Sequence, residues 1–306
     1  MKKRQLGNSD LYVSEIGLGC MSLGSDEQKA NEIIQTALQQ GINYFDTADL
    51  YDFGMNEEFV GKALKPFRND VIIATKVGNR WNDKKDSWSW DPSKTYIKSQ
   101  VKQSLQRLQT DYIDLYQLHG GTHEDHYEET IEAFEELVQE GLIRYYGISS
   151  IRPNVIKTYL TKANIVSVMM QYSLLDRRPE EWMPLFEDKQ ASIIARGPIA
   201  KGLLSTRKLE KASPSIKENG YLQYSFRELE ELLGQLKETF ATRSLQEIAL
   251  QYVLYHEEVA SVIAGASRPA QVIENVQAVQ APGLSQEEWP LLRSLTTATQ
   301  YNQHRS

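Results

Sequence analysis

Cysteine is almost absent. Cys20 is the one thiol in 306 residues, which excludes an intramolecular disulfide and any cysteine-built metal cluster. Positive charge is the minority sign: 34 lysines and arginines stand against 41 acidic residues, a net charge of −7. That balance argues against nucleic acid as the main ligand, because phosphate neutralisation needs basic surface, although one local phosphate site is compatible with it. No apolar run nears the roughly 20 residues that cross a bilayer. The basic start Met1-Lys2-Lys3-Arg4-Gln5 leads into no apolar segment, so it does not read as a secretory signal. A cytoplasmic protein without a membrane partner is expected. No Gly-x-Gly-x-x-Gly follows a strand-like run, which weakens an open dinucleotide-binding sheet. No linker or low-complexity tract divides the chain, so residues 1–306 read as a single domain. No heptad or long exposed apolar edge speaks to oligomeric state.

What is present is a repeat. A turn, Gly7-Asn8-Ser9-Asp10, between Arg4-Gln5-Leu6 and Leu11-Tyr12-Val13 predicts a small leading hairpin. Apolar runs at 14–20, 42–48, 71–76, 112–119, 143–149, 165–172, 192–197 and 261–266 predict strands. Helical patterns at 26–40, 56–64, 93–108, 128–140, 153–163, 179–189 and 269–278 alternate with them, and two further helices, 225–240 and 244–255, precede the eighth strand. Gly41 and Gly141 sit where helices stop, and prolines open three helices. Eight strands alternating with helices predict an α/β fold, a (β/α)8 TIM barrel with an N-terminal hairpin and extra segments over its catalytic face. Those segments are expected as loops: a polar one at 80–92 that carries Trp81, Trp88 and Trp90, and a long one at 200–224.

Three strand ends stop on titratable residues: Asp46, followed by Tyr51; Lys76; and His119. Singly, each has a plain structural explanation, whether helix cap, packed phenol, solvated lysine or core histidine. Together they suit proton transfer. A phenol with a reference pKa near ~10 is a poor acid at neutral pH, and a neighbouring ammonium strengthens it. Lys76 supplies that charge, Asp46 keeps it, and His119 polarises a carbonyl. Tyr51 then protonates a carbonyl oxygen as hydride reaches the carbon. The protein has no hydride of its own, so a nicotinamide cofactor is implied. His119, His123 and His126 lie in a polar, acidic stretch and read as solvated rather than as a metal site; no metal is expected.

These motifs, Asp-Thr-Ala-x-x-Tyr at 46–51, Ala-Thr-Lys at 74–76 and Asp-Leu-Tyr-Gln-Leu-His at 114–119, resemble the catalytic tetrad of the aldo-keto reductases. The resemblance runs from Gly7 to about Asn275. It implies NADPH-dependent reduction of aldehydes or ketones, with Asp46, Tyr51, Lys76 and His119 as the tetrad and Tyr51 as general acid. It also implies that Ser149, Ser150 and Gln171 hold the nicotinamide carboxamide, Ser150 standing where the family usually has asparagine. Arg196 replaces the tyrosine that many members stack on the nicotinamide, and a planar guanidinium also stacks. Gly19, Met21, Gly197, Pro198, Gly202 and Leu204 fall along the implied cofactor path. The segment from Ile263 to Asn275 resembles the family's adenosine-phosphate clamp. Gly265 permits close backbone approach there, and Pro269 opens a helix whose free amides favour an anion. Ser267 and Arg268 suit a 2′-phosphate, with Gln271, Glu274 and Asn275 towards the adenosine. The substrate, a small-molecule carbonyl, is expected against Met21, Tyr51, Trp81 and His119.

Two other classes compete. Some proteins resembling this family serve as cofactor-sensing subunits, with little turnover. A Schiff-base barrel enzyme would use Lys76 as nucleophile, but a neighbouring Asp46 keeps the amine charged and opposes this.

Overall fold

The structure, a computed structural model, describes residues 1–305. It opens with an antiparallel hairpin, β1 (Lys3–Gln5) and β2 (Tyr12–Ser14). The strands that follow are β3 (Ile16–Gly19), β4 (Tyr44–Asp46), β5 (Ile72–Val77), β6 (Asn79–Trp81), β7 (Trp88–Trp90), β8 (Ile113–Leu118), β9 (Ile143–Ser149), β10 (Ser167–Gln171), β11 (Ser192–Arg196) and β12 (Val259–Gly265). All but β6 and β7 close a parallel barrel in the order β3, β4, β5, β8, β9, β10, β11, β12 and back to β3.

Helices α1 (Glu27–Gln39), α2 (Met55–Leu64), α3 (Lys94–Leu108), α4 (Tyr127–Gln139), α5 (Pro153–Lys162) and α6 (Met183–Lys189) connect successive strands. They are followed by α7 (Pro214–Asn219), α8 (Phe226–Thr239), α9 (Leu245–Leu254), α10 (Pro269–Gln280) and α11 (Glu288–Leu295). Local chemistry sets their ends. Asp26 and Ser93 accept amide hydrogens at the starts of α1 and α3, and Ser225 and Ser244 form capping boxes with Glu228 and Glu247. Gly41 and Gly141 follow helices with φ of 82° and 72°, where a Cβ would be strained.

The core has two parts. The larger lies between the strands and the helices. The smaller fills the barrel interior, where Tyr44, Ile72, Leu115, Met169, Ile194 and Ile263 pack against Leu6, Leu11 and Val13 of the leading hairpin. The hairpin therefore plugs the end where the barrel strands begin. The strand carboxyl ends open at the other face, as barrel enzymes arrange it.

Three expectations need correction. The 80–92 segment is not a loop: β6 and β7 pair antiparallel, and Asn82 closes their turn through Asp86 and Ser87. The 200–224 connection is broken by short 3-10 turns at Ala200–Gly202 and Leu209–Lys211 and by α7. The helix expected at 179–189 starts as a 3-10 turn, Arg178–Trp182, before α6. Past the expected elements, α11 and the tail pack back on the fold, with Tyr301 buried. No helix of the described residues is long and apolar enough to cross a membrane.

Candidate active site

The centre of the open face is a buried ion pair. Asp46 is the last residue of β4 and Lys76 the fifth of β5, so both emerge at strand carboxyl ends. Lys76 Nζ donates to Asp46 Oδ2 at 2.7 Å and to the Thr47 carbonyl at 2.7 Å. Both side chains are almost fully enclosed. Burial alone lowers the Lys76 pKa, but Asp46 and then Tyr51 reverse this, and the net shift is upward. Burial likewise raises the Asp46 pKa against the opposing pull of Lys76. An enclosed pair of this geometry keeps its charge, because removing either partner strands the other.

Tyr51 follows Asp46 by five residues, its amide bonded to the Ala48 carbonyl. Lys76 Nζ lies 5.2 Å from the centroid of the Tyr51 ring. His119, one residue past β8, meets that ring edge-on with centroids 6.0 Å apart. Its amide donates to the Val77 carbonyl at 2.7 Å. Its Nδ1 is buried without a hydrogen-bond partner. Burial, then the Lys76 and Arg196 charges, pushes the His119 pKa down to about 3. The imidazole is therefore neutral across ordinary pH. The four residues expected from strand ends share one small volume.

The sequence reading missed Gln117. It is fully buried, and its Nε2 donates to Asp46 Oδ1 at 3.3 Å. The signal was available: in a strand, residues two apart share a face, so Gln117 lies on the face of His119.

Around this centre, Gln171 ends β10 and Arg196 ends β11. Arg196 Nη1 donates to Gln171 Oε1 at 3.4 Å, and Gln171 Nε2 donates to the Tyr221 hydroxyl at 3.3 Å. Tyr221, from the long connection, was not anticipated. Ser149 ends β9, partly exposed, while Ser150 is buried and its Oγ accepts the Arg152 amide. Gly19 ends β3, and Met21 beyond it is 65% exposed. Gly197 and Gly202 take φ of 65° and 86°. Pro198 is buried, and Leu204 is wholly inside the core, which leaves its backbone alone for any ligand.

At the start of α10, Ser267 and Arg268 are exposed, and Arg268 has no ion-pair partner among the described residues. Gln271 Oε1 accepts from the Ser267 amide and hydroxyl, at 2.9 and 3.1 Å. Glu274 is partly exposed, while Asn275 is buried against Gln246. Trp81 follows Lys76 by five residues on β6. Trp88 opposite it is exposed, and Trp90 is anchored through Nε1 to Asp125 at 2.9 Å. His123 and His126 join no cluster of metal-ligating side chains among the described residues.

Comparison with known proteins agrees with this architecture. Residues 15–297 match the aldo/keto reductase family profile. The oxidoreductase YqkF of Bacillus subtilis (strain 168) is 60% identical over 306 residues, covering 100% of both chains. The NADH-specific methylglyoxal reductase of Escherichia coli (strain K12) is 31% identical, over 97% of this chain and 99% of its own. Among solved structures, the holo form of aldo-keto reductase AKR11C1 from Bacillus halodurans superposes with a TM-score of 0.95 at 61% identity, covering 100% of each chain. The chain belongs to the aldo-keto reductase family and is one of its oxidoreductases.

Proposed function

We propose that this oxidoreductase reduces aldehydes or ketones to alcohols with NADPH, and that Tyr51 is its general acid. The observation that carries the reading is the enclosed Asp46–Lys76 pair, 2.7 Å apart, beneath the Tyr51 ring. Lys76 stays charged in that setting, 5.2 Å from the centre of the Tyr51 ring, where its ammonium favours the negative charge that develops as the phenol hands over its proton. Gln117 and the Thr47 carbonyl fix the pair in place. Neutral His119 offers one N–H to the carbonyl oxygen that Tyr51 protonates, and it does so without competing as an acid. Lys76 does not serve as a nucleophile, because its amine is held protonated.

The residues present fit a nicotinamide dinucleotide. Gln171 and Ser149 present polar groups at the strand ends for the carboxamide. The exposed cations Arg196 and Lys201 have no carboxylate partners among the described residues. Ser267, held by Gln271, and Arg268, exposed without an ion-pair partner among the described residues, lie beside the first turn of α10, where a hydroxyl and a guanidinium together select an added phosphate. Bound there, NADPH supplies the hydride that the side chains cannot. NADH use, as in the name of the E. coli relative, is the competing reading, and Arg268 is the residue that separates the two.

The deciding experiment follows NADPH oxidation at 340 nm with a panel of aldehydes, for wild type and Tyr51→Phe. The variant should lose at least about 100-fold in kcat, the lower range for a positioned acid, with NADPH affinity retained. Undiminished turnover in the variant would move the proton donor elsewhere. Tight NADPH binding without turnover in the wild type would favour a cofactor-sensing subunit instead.

A further inference from the structure

Immediately after Tyr51 the backbone does something costly. Asp52 and Phe53 both adopt left-handed conformations, with φ of 48° and 58°, and Gly54 follows at 90°. Aspartate tolerates this region, but a bulky side chain crowds its own backbone there. Glycine would suit position 53, yet the chain places phenylalanine. Burial does not compensate, since the ring is 45% exposed. Its close aromatic contact is Trp81, with centroids 4.5 Å apart and planes tilted 49°, and Lys85 Nζ lies 5.6 Å from the centre of the Phe53 ring.

The hairpin that Phe53 meets is held by strand pairing and by a side-chain anchor. Trp81 is paired with Trp88 across the β6–β7 hairpin, and Trp90 ties that hairpin to Asp125, which also holds Thr122. Trp88 is 55% exposed. Exposed aromatics gathered at the mouth of a reaction centre mark ligand surface, and strained backbone that gains little stability marks function.

We propose that Phe53 is a specificity-determining residue: with Trp81 it forms an aromatic jaw beside Tyr51 that takes the planar apolar group of an aryl aldehyde or ketone. The inference rests on the reductase reading and adds the substrate class. The two rings are tilted, which suits edge and face contacts to a third ring.

Steady-state kinetics of wild type and Phe53→Gly with NADPH, using benzaldehyde and propanal, read the claim. Glycine relaxes the backbone at this position, so the variant keeps the fold. Phe53→Gly should lower kcat/KM for benzaldehyde about tenfold, mainly through KM, and change propanal by less than about twofold. Equal losses for both aldehydes, or no loss for benzaldehyde, would overturn the jaw while leaving the reductase reading intact. Benzyl alcohol binding to the NADP-loaded protein, followed by tryptophan fluorescence, decides the same point without turnover. Its affinity should fall about tenfold in the variant; unchanged affinity sinks the proposal, even if the wild type proves inactive and the reductase reading fails.

Discussion

Two residues before Tyr51, Asp49 is buried, and neither of its oxygens makes a well-formed hydrogen bond. The cations within reach are committed, Lys76 to Asp46 and Arg107 to Glu57. Burial, then the Glu57 charge, holds the Asp49 carboxyl well above the usual carboxylate range, with Arg107, the Leu50 amide and Lys76 opposing more weakly. The folded chain therefore holds the Asp49 proton to higher pH than a solvated carboxylate would. The unfolded chain would release this proton near pH ~3.9, whereas the folded chain keeps it. The group's stabilising contribution is thus complete below that pH and is lost as pH rises towards the folded value. Asp49→Asn, which preserves the neutral shape, should raise the thermal midpoint at pH 8 and leave it nearly unchanged at pH 4, read by circular dichroism. A lower midpoint at pH 8 would mean that Asp49 is charged and paired. His119 has the opposite sense. With its pKa at about 3 in the fold and near ~6.5 when unfolded, it favours unfolding as pH falls from the higher value towards the lower.

At the scale of the element, the barrel strands were legible because each is a short apolar run set between helical patterns, and three of them stop at titratable residues. The β6–β7 hairpin was less so. Its turn, Asn82 to Ser87, is polar and charged, and three tryptophans among polar residues read as loop. The Trp88-Ser89-Trp90 alternation was the strand signal there. Helix α11 was hidden by Pro290 inside its pattern, and the left-handed turn at Asp52–Phe53 has no sequence signature, because neither residue is glycine. The proposed tetrad was legible since Asp46, Lys76 and His119 lie at strand ends and Tyr51 follows the first of them by five residues; Tyr221 was not, because only the folded path of the long connection brings it to Gln171. For α10 the element itself makes a prediction. The helix start carries the positive end of its dipole, and Arg268 adds a planar charge with no carboxylate partner among the described residues. Arg268→Gln should raise KM for NADPH by about tenfold, the loss of a charge-assisted contact, and leave KM for NADH within about twofold. Parallel rises with both cofactors would place the 2′-phosphate elsewhere.

Across the whole molecule, stability and chemistry occupy opposite ends of one barrel. The proposed tetrad sits at the strand carboxyl ends, while Arg4 on β1 secures the plug at the other. Its guanidinium donates to the carbonyls of Leu254, His256 and Val259, at 2.7 to 2.9 Å, and its Nε pairs with Glu15 at 2.8 Å. One side chain thus ties the leading hairpin to the end of α9 and the start of β12, closing the chain's first strand onto its last barrel strand. Removing it leaves several partly buried carbonyls short of a donor, at about 1–3 kcal/mol for each that water cannot reach. Arg4→Ala should therefore lower unfolding free energy by roughly 2–4 kcal/mol in urea titrations. Below the unfolding transition, kcat and both KM values should stay within about twofold of wild type, since packed elements far from the chemistry act on it only by moving it. A kcat that falls with stability at moderate temperature would show that the plug positions β4 and β5, and with them Asp46 and Lys76. An unchanged kcat would assign the hairpin to holding the barrel closed.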